Sequence, residues 1–175
     1  MKWRRIIVPV LLLPGTALVV APALILWLTW NTSAGPRLAG WVDPRLYLGV
    51  GLGLLGLVLA LATMRLFLTV GRGTPAPWDP PLELVVHGPY AHVRNPMISG
   101  VSFMIAAESL ILGSWPLAVW LGVFFLGNWA YFPLREEKTL EKRFGDAYLR
   151  YRANVPRWVP RWRAWDSRGD EAGGP

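Results

Sequence analysis

The sequence predicts an all-α, polytopic membrane protein: about four membrane-spanning helices, one amphipathic cytoplasmic helix, and a polar loop covering the inner ends of the spans. Three observations predict it. The 175-residue chain is 53% hydrophobic with 11 Trp and a mean hydropathy of +0.33, too apolar for an ordinary soluble domain. Its apolar residues come in blocks long enough to cross a hydrocarbon core of about 30 Å. Its Lys and Arg residues gather on one side of those blocks.

Residues 6–30 carry no charge, and 46–70 carry only Arg65, so each reads as a span. The first is too long for the apolar core of a signal peptide and shows no small-residue cleavage site before its polar flank, so it reads as retained. In the second, Gly49, Gly53 and Gly56 leave notches where another helix can approach closely, and Arg65 reads as snorkelling to the interface. Residues 71–95 are dense in Gly and Pro and cannot continue a helix. A loop of that length suggests function or a cover over a site. Within it LELVV reads as a short extended piece and His87-Gly88-Pro89-Tyr90 as a turn. Residues 97–112 and 115–134, parted by Gly113-Ser114, read as a tight helical hairpin whose arms are short for full spans.

The tail, 135–165, is predicted to hold an amphipathic helix. Leu140, Phe144, Ala147, Tyr148 and Tyr151 share one stripe, while Lys138, Lys142 and Leu149 point away. Glu137 falls inside that stripe and Glu136 at its flank, so at least one carboxylate faces inward, which is costly unless it is partnered. Beyond it, VPRWVPRWRAW mixes Trp and Arg as sequences at headgroup depth do. The whole chain, 1–175, reads as a single domain.

With four spans both termini share a side. That side carries Lys2, Arg4, Arg5, Arg72, Arg94 and every cation from Arg135 onward, whereas only Arg37 and Arg45 lie opposite. The positive-inside rule then puts termini, loop and tail in the cytoplasm, at a bacterial inner membrane. The net charge of +7 is read as orientation and attraction to anionic lipid headgroups, with no nucleic-acid partner. Zero Cys excludes thiolate chemistry, and two His in one loop argue against a metal site.

A helix restarting at Asn95-Pro96, with Asn95 as cap and Pro96 as first residue, presents unpaired N–H groups and a positive dipole end. Arg94 adds a full charge beside it, so an anionic group such as a carboxylate would be held there. His92 is a candidate contact in the same loop. Glu108 lies near the far end of its helix, where a structural hydrogen bond or a protonated acid is expected.

Three motifs, GPYAHVRNPMISG, Arg135-Glu136-Glu137 and FGDAYLRYRANVPRWVP, resemble the isoprenylcysteine carboxyl methyltransferase and phospholipid methyltransferase families of integral membrane enzymes. The resemblance spans roughly 71–160, with the motifs in family order. It implies S-adenosylmethionine bound at the cytoplasmic interface. Tyr90, Arg94, Pro96 and Gly100 match the loop motif, and Glu136 and Glu137 match the acidic pair. Asn95 stands where many members have His, and Ile98 where many have Tyr, which bears on a polar cofactor contact and an aromatic packing contact. Arg94 and the helix start suit the cofactor's carboxylate; Glu136 and Glu137 suit its amine or ribose hydroxyls; Tyr90, Tyr148 or Tyr151 could wall its adenine. Arg94 and Glu137 are expected to converge on one cofactor molecule. Glu137 or His92 would serve as base for an amine acceptor, whereas a carboxylate or thiolate needs none. Acceptors consistent with a lipid-facing site are a prenylated cysteine, a phospholipid amine or a small hydrophobic thiol. The competing readings are an NADPH-dependent sterol or isoprenoid reductase and a non-enzymatic membrane scaffold. Oligomeric state is not legible.

Overall fold

A computed structural model of the chain describes residues 14–74 and 80–166. Residues 6–13 of the first expected span, 75–79 of the loop, and the cations Lys2, Arg4 and Arg5 lie outside the described residues. The protein is an all-α membrane protein, and no strand forms among the described residues, LELVV included.

A π-helical turn, Thr16–Val20, leads into α1, Ala21–Thr29. Helix α2, Pro44–Thr69, is followed by the polar loop and then α3, Pro96–Ile111. Helix α4, Trp115–Tyr131, runs through a second π turn, Phe132–Glu136, into α5, Glu137–Asn154. Pro133 lacks the N–H that an α-helix would use there, and the π turn absorbs the defect, with Glu137 N–H donating to the Phe132 carbonyl. Helix α2 and the continuous run Trp115–Asn154 are long and apolar enough to cross a membrane; Thr16–Thr29 and α3 are shorter apolar helices. Large aliphatic side chains such as Leu54, Val58 and Leu61 on α2 and Val119, Val123 and Leu126 on α4 stand exposed in rows that lipid tails would cover.

Helix α3 is the axis of the bundle, with Ile105 fully buried, and it packs against both α2 and α4. Its contact with α2 is backbone on backbone: a Cβ on Gly100 would lie 2.9 Å from the Gly56 carbonyl oxygen, and one on Gly56 would lie 2.5 Å from that of Gly100. Only hydrogen fits at either position. On the other side Ala17, Val101 and Ile105 form a cluster with Trp120 and Phe124, and the Trp120 indole donates to the Ala17 carbonyl at 3.0 Å.

One end of the bundle is closed by short links. Asp43 caps α2 by accepting from Arg45 N–H at 2.9 Å, with Pro44 in the first turn. The preceding loop docks onto the α3–α4 turn, Arg37 N–H donating to Leu112 at 2.7 Å and Ala39 N–H to Ile111 at 2.8 Å. That turn needs Gly113, whose φ is +55° and which abuts the Arg37 carbonyl. At the opposite end lie the polar loop, α5 and the tail, which together build the site.

Helix α5 departs from the expected stripe at one residue. Leu140, Phe144, Tyr148 and Tyr151 face inward, but Ala147 is exposed. Gly145, at φ +52° and ψ −130°, breaks the helical phase between Phe144 and Tyr148, so regular 3.6-residue spacing no longer predicts facing.

Candidate functional site

Helix α2 ends at Thr69, and the chain returns through a 3₁₀ turn, Gly88–Ala91, that lays Tyr90 edge-on against Phe67 at 5.7 Å. The tail straps this turn down with three backbone bonds of 2.9 Å: Arg94 N–H to Pro156, Arg161 N–H to His92, and Trp165 N–H to Ala91. Tyr151 adds its hydroxyl to the Tyr90 carbonyl at 2.8 Å. Burial pushes the phenols of Tyr90, Tyr148 and Tyr151 above their ordinary pKa, so all three remain neutral donors.

Between loop, α3, α4 and α5 lies a cavity of about 360 Å³. Phe67, Val101, Phe124, Leu140 and Phe144 give it an apolar sleeve, with Tyr90 and Tyr151 on its wall. Its polar lining includes Arg94, Asn95, Asn128 and Glu136. Two of these hold buried donors without a partner, Arg94 Nε and Asn95 Nδ2. Asn95 precedes α3 as expected, and Pro96 begins the helix, but the Asn95 side chain makes no capping bond. Glu136 is half-buried; burial raises its pKa, and no cation among the described residues is shown paired with it.

Glu137 turns elsewhere. Its side chain, 9% exposed, accepts from Arg94 Nη1 at 2.9 Å and is gripped by Arg157 through both oxygens, Nε to Oε1 at 2.7 Å and Nη2 to Oε2 at 2.9 Å. The inward carboxylate is therefore partnered, as burial demands, by two guanidinium groups. Arg94 and Glu137, expected to converge on one cofactor molecule, bond directly to each other. Successive helical residues point about 100° apart, so Glu136 reaches the cavity while its neighbour reaches the arginines.

The remaining expected residues divide between scaffold and wall. Tyr148 is buried beneath Arg94, its hydroxyl 3.5 Å from Nη1 and its ring 6.3 Å from that of Tyr151. Pro96 is fully buried and Gly100 serves the α2–α3 contact; neither lines the 360 Å³ cavity. His92 lines a different cavity, and its Nδ1 lies 2.9 Å from the Arg161 carbonyl oxygen, so that bond ties the ring to the strap. Sequence reasoning missed Arg157, whose signal was the cation that a buried Glu137 requires. It also missed Asn128, the one side-chain amide in 115–134, whose Nδ2 donates to the Phe124 carbonyl at 2.8 Å.

A family model described as phospholipid methyltransferase matches residues 44–147, from the start of α2 into α5. The protein-S-isoprenylcysteine O-methyltransferase of Schizosaccharomyces pombe is 35% identical over 80 residues, covering 44% of this chain and 33% of that protein. The matched part is thus about a third of that relative's length. No solved structure matches the chain significantly.

Proposed function

The chain belongs to the phospholipid methyltransferase family, and from that premise we propose that it transfers a methyl group from S-adenosylmethionine to an acceptor carrying an apolar tail. One observation carries the proposal: a single apolar cavity has the buried spare donors of Arg94 and Asn95 and the half-buried carboxyl of Glu136 on its wall. This donor set fits the cofactor's chemistry. Arg94 and Asn95 suit its carboxylate, Glu136 its amine or ribose hydroxyls, and Tyr90, Tyr151 and Phe144 its adenine. A cavity of this size falls in the usual range for a small-molecule site.

When bound, the sulfonium supplies an activated methyl group for in-line displacement. The protein's part is orientation in a dry site, which can contribute several powers of ten without any covalent enzyme intermediate. Phe124, Leu140 and Phe144 exclude water, and Asn128 and Tyr131 lie on the α4 side of the same cavity, where they would orient an acceptor head. A carboxylate or thiolate acceptor needs no base, which suits a cavity whose lining carboxyl, Glu136, is engaged by the cofactor. Glu137 holds Arg94 in place and His92 anchors the strap, so both are positioning residues in this reading. The exposed apolar rows on the helices favour an acceptor that partitions into the bilayer, each buried CH₂ adding about 0.8 kcal/mol. The phospholipid methyltransferase match and the prenylcysteine-modifying relative support that class. The positive-inside rule puts the site on the cytoplasmic side.

Calorimetric titration of the detergent-solubilised protein with S-adenosylhomocysteine tests the cofactor assignment. Binding is expected, and Glu136→Gln should weaken it by roughly tenfold to a hundredfold, the range for one charged hydrogen bond. A parent protein that binds neither S-adenosylhomocysteine nor S-adenosylmethionine would overturn the proposal.

A further inference from the structure

The loop motif has two faces. Tyr90, Arg94 and Asn95 line the cavity described above, whereas Ala91, His92, Val93 and Pro96 line a second one of about 480 Å³ that shares no wall residue with the first. Gly88 and Pro89 of the same motif also line it, and its walls beyond the loop are Leu59 of α2, Ser99 and Phe103 of α3, and Trp158, Pro160 and Ala164 of the tail strap.

We propose that this second cavity binds an acyl chain of an anionic phospholipid, which braces the strap and loop from behind. The walls are almost wholly apolar, and their polar groups are largely committed: Ser99 Oγ donates to the Asn95 carbonyl at 3.1 Å, and His92 Nδ1 is paired with the Arg161 carbonyl. Among the fully buried side-chain atoms of these walls, the exception is the Trp158 indole N–H, which has no acceptor. A buried water needs two to four polar partners, and one spare donor does not supply them. An aliphatic chain with an ester oxygen near Trp158 meets both conditions. Leu59 and Phe103 belong to the apolar helices α2 and α3, so the medium beside the cavity is the bilayer itself.

Charge selects the headgroup. Residues 147–165 contain Arg150, Arg152, Arg157, Arg161 and Arg163 and no acidic residue. Arg152 is paired with Glu141 and Arg157 with Glu137, which leaves Arg150, Arg161 and Arg163 without an ion pair among the described residues. Arg161 Nη1 donates to the Asn154 carbonyl at 2.9 Å, and its remaining N–H groups and the exposed Arg163, beside Pro160 and Ala164 in the chain, are placed for a lipid phosphate. The methyl acceptor is a poorer occupant, because the loop backbone stands between this cavity and Glu136.

The test places the full-length protein in phosphatidylcholine nanodiscs containing a small fraction of phosphatidylglycerol with a photoreactive acyl chain, and maps the adducts by mass spectrometry. Adducts are expected at Leu59, Phe103 and Trp158, with unlabelled phosphatidylglycerol competing about tenfold better than phosphatidylcholine. Ala164→Trp, which fills the cavity from an exposed strap position, should abolish these adducts while the melting temperature stays near the parent's. A double Arg161→Gln, Arg163→Gln variant should retain adducts but lose the preference for phosphatidylglycerol. Adducts spread evenly over the lipid-facing rows of α2 and α4, unchanged yield in a folded Ala164→Trp protein, or equal competition by both lipids would each overturn the proposal. Displacement by a farnesylated thioether would overturn it too, by assigning the cavity to an acceptor. The readout uses neither cofactor nor methyl acceptor, so its failure is separable from failure of the proposed activity.

Discussion

Two adjacent carboxylates show how finely the site is divided. Glu137 shares its charge with Arg94 and Arg157 in a nearly dry setting, so Glu137→Ala should cost about 3–5 kcal/mol through the uncompensated guanidinium groups it leaves. Thermal melting without ligand reads that loss, and a melt equal to the parent's would show that the triad contributes nothing. Arg157→Lys should recover only part of the stability lost in Arg157→Gln, because an ammonium cannot reproduce the two-pronged grip. Glu136 behaves oppositely. Burial raises its folded-state pKa above the unfolded value near 4.5, so the unliganded protein binds that proton more tightly than the unfolded chain. Its contribution to stability is therefore greatest at low pH and falls as pH climbs through the raised pKa. Affinity for a ligand carrying an ammonium should rise over the same window, as the carboxylate ionises. Isothermal titration with S-adenosylhomocysteine across that range should show the rise in the parent and a flat profile in Glu136→Gln.

At the scale of elements, the contact between α2 and α3 anchors the start of α3, because Gly100 lies about one turn from Pro96. Gly56→Val would drive its side chain into the Gly100 carbonyl and the Met104 side chain. Overpacking of this kind typically costs about 1–3 kcal/mol, here with backbone as the obstacle. Gly51→Ala on the same helix meets nothing within 4 Å and should change stability by no more than about 0.5 kcal/mol. Denaturation of both variants in one detergent checks the contrast, and equal losses would mean that the close approach is not what holds the pair together. The π turn over Phe132–Glu136 has a parallel role: it carries the α4 axis into α5 past Pro133 and sets the rotation that separates Glu136 from Glu137.

The whole molecule has one end closed by short links and the other by the loop, α5 and the strap. With the cations gathered at the second end, single cysteines introduced into this cysteine-free chain at Arg72 or Lys142 should react only with membrane-permeant thiol reagents in intact cells. A cysteine at Trp41, exposed on the opposite end, should react with an impermeant reagent. The reverse pattern would invert the orientation and place the site outside.

By itself the sequence determined the helices and their order. Uncharged blocks, Pro at helix starts and Gly-Ser at the hairpin act locally, and a bilayer leaves the backbone few choices. It also marked the loop motif and the acidic pair, because charged and polar residues at the mouths of apolar helices stand out against their surroundings. Tertiary structure alone decided which acid faces the cavity, that Glu137 is bound by both Arg94 and Arg157, and that Gly100 is a packing contact. It also decided that the His92 ring is tied to the strap through the Arg161 carbonyl. Those outcomes turn on rotations of about 100° per residue, on a phase break at Gly145, and on partners 20 to 69 positions apart in the chain. Local propensity contains no term for any of them.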